Sequence, residues 1–192
     1  MGRTKEQTAA NFMAFQRTIP SSDIVIFSDG SRLADGCVGG GYIGLQAHHQ
    51  FLRSSLSYRH GKEVFNAEAE AALAGAQAVI VYPTAQFATN LWICLDNLEP
   101  LRKRLPHIKS GSIQIRWVPG HAKIPENKAA DLAAKEGAAS IPPAPHKSSY
   151  ALLKRYAKTQ SLSAAQSQWE KVAPQSYQDL EITTSPKRPR EL

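Results

Sequence analysis

Asp29 closes an apolar run, IVIFSD, and Asp96 closes another, LWICLD. If the two runs are parallel neighbouring strands, both carboxylates emerge at one sheet edge, on strands about 4.8 Å apart. The carboxyl ends of parallel strands are where open α/β sheets place their sites. Two carboxylates so close repel unless a cation lies between them. An oxygen-only donor set favours a hard divalent ion, magnesium or manganese. A third acid can come from the alanine-rich stretch VFNAEAEAALAGA, where Glu68 and Glu70 compete. Glu68 shares its helical face with Ala71, Ala72, Gly75 and Val79, a small smooth face suited to close packing on a sheet. Glu70 shares its face with Leu73, Ala74, Gln77 and Val81, which is less uniformly small. Glu68 is therefore the preferred inward acid, although both glutamates also suit the positive end of a helix dipole. A fourth acid, Asp131, lies four residues after Asn127, so the two project from one helix face. His121 sits in the turn before that helix. Singly, His121 reads as a capping or solvent residue and Asp131 as a surface charge; their combination with the other acids gives them weight.

These side chains need a scaffold, and the hydrophobic pattern supplies one. Residues 24–28, 39–46 and 50–56 read as strands, the last two joined by a tight turn near His48 and His49. Val64 to Tyr82 reads as a long helix stopped by Pro83. Residues 91–95 form a fourth strand and 112–118 a fifth. Between them, 98–105 reads as a short helix with Asn97 as its cap and Pro106 as its stop. A last helix starts at Pro125, a residue suited to the first helical turn, and runs to about Ala139. Three strands in succession predict an antiparallel meander; the alternating remainder predicts parallel pairs with helical crossovers. The expected fold is α/β, a five-stranded mixed sheet of three antiparallel and two parallel strands flanked by helices. Residues 1–20 show no firm pattern and read as a flank, 21–140 as the domain, and 141–192 as a proline-rich basic linker and tail. That tail is expected to be partly helical, with two short helices between Ser148 and Val172, and partly disordered at TTSPKRPREL.

Composition narrows the class. The chain has 192 residues and a net charge of +7. Residues 1–20 carry three basic residues against one acidic, 21–140 twelve against eleven, and 141–192 eight against four. The positive excess therefore lies in the flanks and favours an anionic partner such as nucleic acid. No apolar run is long enough to span a bilayer, and the first twenty residues hold no signal-like apolar block, so no membrane partner and an intracellular location are expected. Cys37 and Cys94 match no zinc or redox spacing and read as reduced thiols.

Together the segments IFSDGS, VFNAEAEAALAGA, ICLDN and WVPGHAKIPENKAADLAAKEGA resemble the ribonuclease H family, in the form carried by retrotransposon reverse transcriptases. The tail, with Trp169 and SYQDLEI, is similar to the segment that follows this domain in fungal retroelement polyproteins. The resemblance covers about residues 21–140, and WVPGHAKIPENKAADLAAKEGA is its most specific part. It implies a ribonuclease H-like fold and hydrolysis of the RNA strand of an RNA–DNA hybrid. It implies two magnesium or manganese ions held by Asp29, Glu68, Asp96 and Asp131, with His121 as a mobile catalytic histidine and Asn127 as a support residue beside it. Selectivity for RNA would come from 2′-hydroxyl contacts and groove shape. Arg102, Lys103 and Arg104 either touch phosphates of the hybrid or form a solvated helix face. Other parts of a retroelement polyprotein are possible partners.

The chain departs from the family pattern in three places. Glu126 stands where glycine is frequent, and Lys128 where glutamate is frequent, which reverses charge near the metal site. Asp96 and His121 are only 25 positions apart, leaving 15 residues, 97–111, for the crossover. A helical crossover needs at least about 10–12, so this one is minimal and predicts reduced helical cover beneath the fourth and fifth strands. The alternative function is then a catalytically impaired, nucleic-acid-binding relic of a retroelement polyprotein. Integrase-like acidic triads would leave the histidine motif unexplained.

Overall fold

A computed structural model describes residues 4–96, 113–120, 122–142 and 148–176, except for the side chains at 86 and 87. The chain divides into two compact units, Met1–Ser148 and Ser149–Leu192, so the division falls a few residues beyond the 140/141 boundary expected from the proline-rich stretch.

The first unit is built on the expected five-stranded mixed sheet, in the order β3-β2-β1-β4-β5. Strands β1 (Ile24–Arg32), β2 (Val38–Gln46) and β3 (His49–Arg59) form the antiparallel meander. The β2–β3 turn places Ala47 and His48 at positive φ, 51° and 63°, the twist that two-residue hairpins favour. Strands β4 (Leu91–Leu95) and β5 (Ile113–Trp117) add in parallel to β1.

Strand β1 is longer than its apolar run. Beyond Ser28 it keeps pairing with β2, Gly30 with Gly40 and Arg32 with Val38, so Asp29 stands inside a strand rather than after one. Its pairing with β4 ends earlier, at Phe27 with Cys94. Two residues further along each strand, Asp29 comes level with Asp96.

Alternation along β1 sends Ile24 and Ile26 to one face and Val25 and Phe27 to the other. On the first face, helix α2 (Val64–Ile80) packs Ala71, Ala72, Ala76 and Val79 against Ile24, Ile26, Tyr42, Leu91 and Ile93. On the second, helices α1 (Lys5–Gln16) and α3 (Pro125–Ala139) deliver Phe12 and Ala130 to a cluster with Val25, Phe27, Ile43 and Val118. The N-terminal segment read as a flank is thus part of the core. Thr4 and Gln7 form a reciprocal capping box that starts α1. Phe12 meets Phe27 edge-on at 6.1 Å, and Phe15 meets Trp92 at 5.3 Å. The helix escapes a periodicity reading because only Ala9 and Phe12 within it are buried.

Helix α2 ends at Ile80, and Pro83 opens a 3₁₀ turn, Pro83–Phe87, that leads into β4. The helix expected over 98–105 lies outside the described residues. Ile115 and Trp117 on β5 are 37% and 44% exposed. In the second unit, Tyr150–Val172 forms one 23-residue helix, α4, in place of the two short helices expected. Ser149 caps it, accepting from Leu152 N at 3.3 Å.

Both layers touch the sheet backbone to backbone. A Cβ added to Gly39 or Gly41 would collide with backbone of α3, at Ala138 and Ala134. One added to Gly40, facing the other way, would fall 2.7 Å from the Ala67 carbonyl oxygen of α2. Because overpacking a core commonly costs about 1–3 kcal/mol and here the obstacle is main chain, Gly41→Ala should lose about 3 kcal/mol or more. Gly44→Ala, whose Cβ would meet only side chains, Leu52 at 3.1 Å and Phe51 at 3.4 Å, should lose much less. Urea unfolding of the two variants compares them directly.

Candidate active site

The glycine contacts decide where the acids fall. Gly30 lets the first turn of α2 lie on β1, since an added Cβ would strike the Val64 carbonyl oxygen. That contact sets Glu68, one turn later, at the sheet edge. It is 3% exposed, and its Oε1 accepts from Asp96 N at 3.2 Å. The structure therefore puts Glu68 inward. Glu70 instead turns to the nearly buried Lys62, whose Nζ donates to both its oxygens at 2.6 and 2.7 Å.

Asp96 follows β4, its carbonyl oxygen accepting from Trp117 Nε1 at 2.9 Å. Its carboxylate lies against Gly120, where a Cβ would overlap Oδ2. Asp131 is carried in by α3, which Gly39 and Gly41 seat on the opposite face of the sheet. Helix α3 is also tied to β3: Arg53 donates to Glu136 at 2.6 Å, and Ser57 Oγ donates to the Ser140 carbonyl oxygen at 2.7 Å. One cleft is consequently lined by Asp29, Glu68, Asp96, Asp131 and Lys135, with Arg32 and Glu63 at its margin. Arg32 and Glu63 approach to 3.5 Å. Sequence reasoning missed Lys135, whose i,i+4 spacing from Asp131 was its available signal. Lys135 Nζ donates to Asp131 Oδ2 at 2.6 Å.

An adjoining cleft is lined by Asp29, Ile124, Asn127, Lys128 and Asp131. Asn127 is buried, and its Oδ1 has no hydrogen-bond partner among the described residues. Lys128, the charge-reversed position, is exposed. His121, Arg102, Lys103 and Arg104 lie outside the described residues.

Charge is unbalanced at Asp29. Burial pushes its carboxyl up, Asp96 and Asp131 add to the push, and the pKa rises to about 7; the hydrogen bond from Gly30 N, 2.7 Å, and the charge of Lys135 only partly oppose it. Asp23, one residue before the same strand, behaves oppositely. Burial pushes it up too, but Trp92 Nε1 and both nitrogens of Asn90 donate to it at 2.9–3.1 Å and hold it below the ordinary carboxylate range. The residue just before β1 is a satisfied structural acid, and the acid inside the strand is crowded by like charge.

A hard divalent cation fits this donor set: the carboxylates come from four elements, offer only oxygen, and outnumber the bases that line the cleft among the described residues. Among the described residues no three His, Cys, Asp or Glu side chains are grouped closely enough to hold a metal ion as they stand.

No protein-family profile matches the chain, and no curated protein matches it. Solved structures do. A ribonuclease H1 isolated from compost by a metagenomic approach is 15% identical, with a TM-score of 0.48 over 62% of this chain and 96% of that one. A foamy viral protease-reverse transcriptase in complex with an RNA/DNA hybrid is 14% identical, with a TM-score of 0.49 over 65% of this chain and 21% of that one. A type 1 ribonuclease H with the type 2 active-site motif is 16% identical, with a TM-score of 0.45 over 76% and 85% of the two chains. None of the three is a fungal retroelement protein.

The raised Asp29 value has a testable consequence for stability. From the ordinary 3.8 up to about 7, the folded chain keeps a proton that the unfolded chain releases. This group's contribution to stability therefore falls as pH rises through that window. Asp29→Asn removes the penalty. In chelator-treated protein the variant should melt higher than the parent at pH 7.5, and the difference should shrink towards zero by pH 4. Melting curves across that range check it; a variant that melts lower at pH 7.5 contradicts the assignment.

Proposed function

We propose that this chain is a ribonuclease H that hydrolyses the RNA strand of RNA–DNA hybrids. The observation that carries the reading is the convergence of Asp29, Glu68, Asp96 and Asp131, from β1, α2, the end of β4 and α3, on one cleft at one sheet edge. Two magnesium or manganese ions bound by these carboxylates would activate the attacking water and stabilise the leaving oxygen of an in-line displacement at phosphorus. The protein's own part is to hold the four acids fixed. Glu68 is anchored by the Asp96 amide, Asp96 by its seat on Gly120, and Asp131 by the pinned helix α3. Asn127 presents a buried carbonyl oxygen beside the acids, placed to orient a neighbouring group; the resemblance makes that group His121, which would move a proton or assist product release. Arg102, Lys103 and Arg104 are assigned to hybrid phosphates on their charge alone, with a solvated helix face as the alternative. The motif wording favours the retrotransposon reverse-transcriptase subtype, with the rest of such a polyprotein as partner.

A second reading, hybrid binding without cleavage, draws on the 15-residue crossover and on Lys128 in place of an acid. A labelled hybrid separates the two. With magnesium the favoured reading predicts cleavage of the RNA strand, and retained binding without cleavage supports the relic.

If cleavage occurs, Asp29→Asn should lower its rate by at least about a hundred-fold, a loss of roughly 2.7 kcal/mol of transition-state stabilisation. Glu68→Gln should do similar damage, whereas Glu70→Gln, remote in role and paired with Lys62, should cost little. Equal losses for the two glutamates would overturn the assignment of Glu68.

The basic tail should add phosphate contacts without adding chemistry. It contains no proposed ligand, yet residues 141–192 hold eight basic residues against four acidic. Removing them should make the slope of log affinity against log salt shallower by roughly one to three, as counterion release requires for a few lost contacts. Fluorescence anisotropy with a labelled hybrid at several salt concentrations measures this; an unchanged slope excludes the tail from the phosphates.

A further inference from the structure

Two bases line the acidic cleft among the described residues, Arg32 near Glu63 and Lys135 beside Asp131. Lys135 lies one turn after Asp131 on α3, lines the same cleft as all four acids, and places Nζ 2.6 Å from Asp131 Oδ2. The side chains are 52% and 26% exposed, so the pair is open to water and weak as a source of stability. Its position matters more than its strength. Asp131 is the carboxylate that α3 contributes to the cleft, and Lys135 holds one of its oxygens. The lysine's field also extends to Asp29, where it opposes the upward push of burial, Asp96 and Asp131.

We infer that Lys135 is a tethered counter-cation of this cleft: it occupies Asp131 until a divalent cation binds, is displaced when one does, and so sets the cation affinity of the site. The inference rests on the metal-binding reading above. A divalent ion approaching Asp29 and Asp131 meets both a competitor for one donor oxygen and a repelling positive charge. Both effects disappear if the ammonium is lost, and both persist if it is replaced by another cation of similar reach. Lys135 is therefore a positioning residue: it acts on the cation through Asp131.

The test compares the full chain with Lys135→Gln, Lys135→Arg and Lys128→Gln. Lys128 lies on the same helix, lines the adjoining cleft and makes no ion pair with the four acids among the described residues. Manganese binding is read from the loss of the free aqua-ion signal in electron paramagnetic resonance, independently of cleavage. Lys135→Gln should bind manganese roughly three- to ten-fold more tightly, the range expected when one partly exposed positive charge is removed beside a divalent ion. Lys135→Arg should stay within about two-fold of the parent, since charge rather than shape sets the Coulomb term, and Lys128→Gln should shift less than Lys135→Gln. A second readout is the rise in melting temperature on adding manganese, which should be larger for Lys135→Gln than for the parent. Unchanged or weaker binding by Lys135→Gln, or equal tightening by Lys135→Arg, overturns the inference while leaving the metal site standing. No manganese bound by either parent or variant overturns the metal-binding reading itself, and the inference with it.

Discussion

The structure depends on how closely two helix backbones can approach one strand. The side chains of β2 alternate, so Gly39 and Gly41 face α3 while Gly40 faces α2. Three consecutive residues without a Cβ let both helices rest on the same stretch of strand from opposite sides. The apolar faces that follow are correspondingly small, with Ala67, Ala71 and Ala72 on α2 and Ala130, Ala133 and Ala134 on α3 all buried. A larger residue at either layer would lift a helix, and the side chains at its edge would move with it. The catalytic reading is sensitive to that distance because Glu68 and Asp131 ride on those two helices.

The same closeness creates the electrostatic problem that the site embodies. Asp23 and Asp29 flank the buried run of β1 and are both withdrawn from water. Asp23 is matched by three donors from Asn90 and Trp92 and is content as an anion. Asp29 receives one short hydrogen bond and faces two further carboxylates. A fold that only needed stability would have no reason to bring several carboxylates together at one edge, because like charges side by side disfavour one another. A strongly shifted acid in a cleft marks where function concentrates, and in the proposed function a divalent cation would relieve the crowding at Asp29.

Much of this was legible in the sequence because it is carried by short-range pattern. The unbroken runs ending in Asp29 and Asp96 marked parallel strands. Leu91–Leu95 and Pro125–Ala139 begin and end where the residue pattern puts them. The small face shared by Glu68, Ala71, Ala72 and Gly75 pointed inward. What stayed hidden depends on tertiary context. Helix α1 has too sparse an apolar stripe to show periodicity, and it is recognisable only once Phe12 meets Phe27. The extension of β1 through Arg32 comes from β2 pairing rather than from its own hydrophobicity. Lys135 needed the cleft to be seen before its spacing from Asp131 had meaning. The single long α4 crosses polar residues that offer no reason either to break or to continue a helix.

The central claim is that Asp29, Glu68, Asp96 and Asp131 form one divalent-cation centre. Anomalous diffraction from crystals soaked in manganese tests it most directly. At least one strong peak is expected in the cleft, within about 2.0–2.5 Å of carboxylate oxygens from Asp29 and Asp96, the range of hard-cation contacts to oxygen. A manganese peak bound elsewhere with that cleft bare, at a concentration that saturates binding in solution, would contradict it.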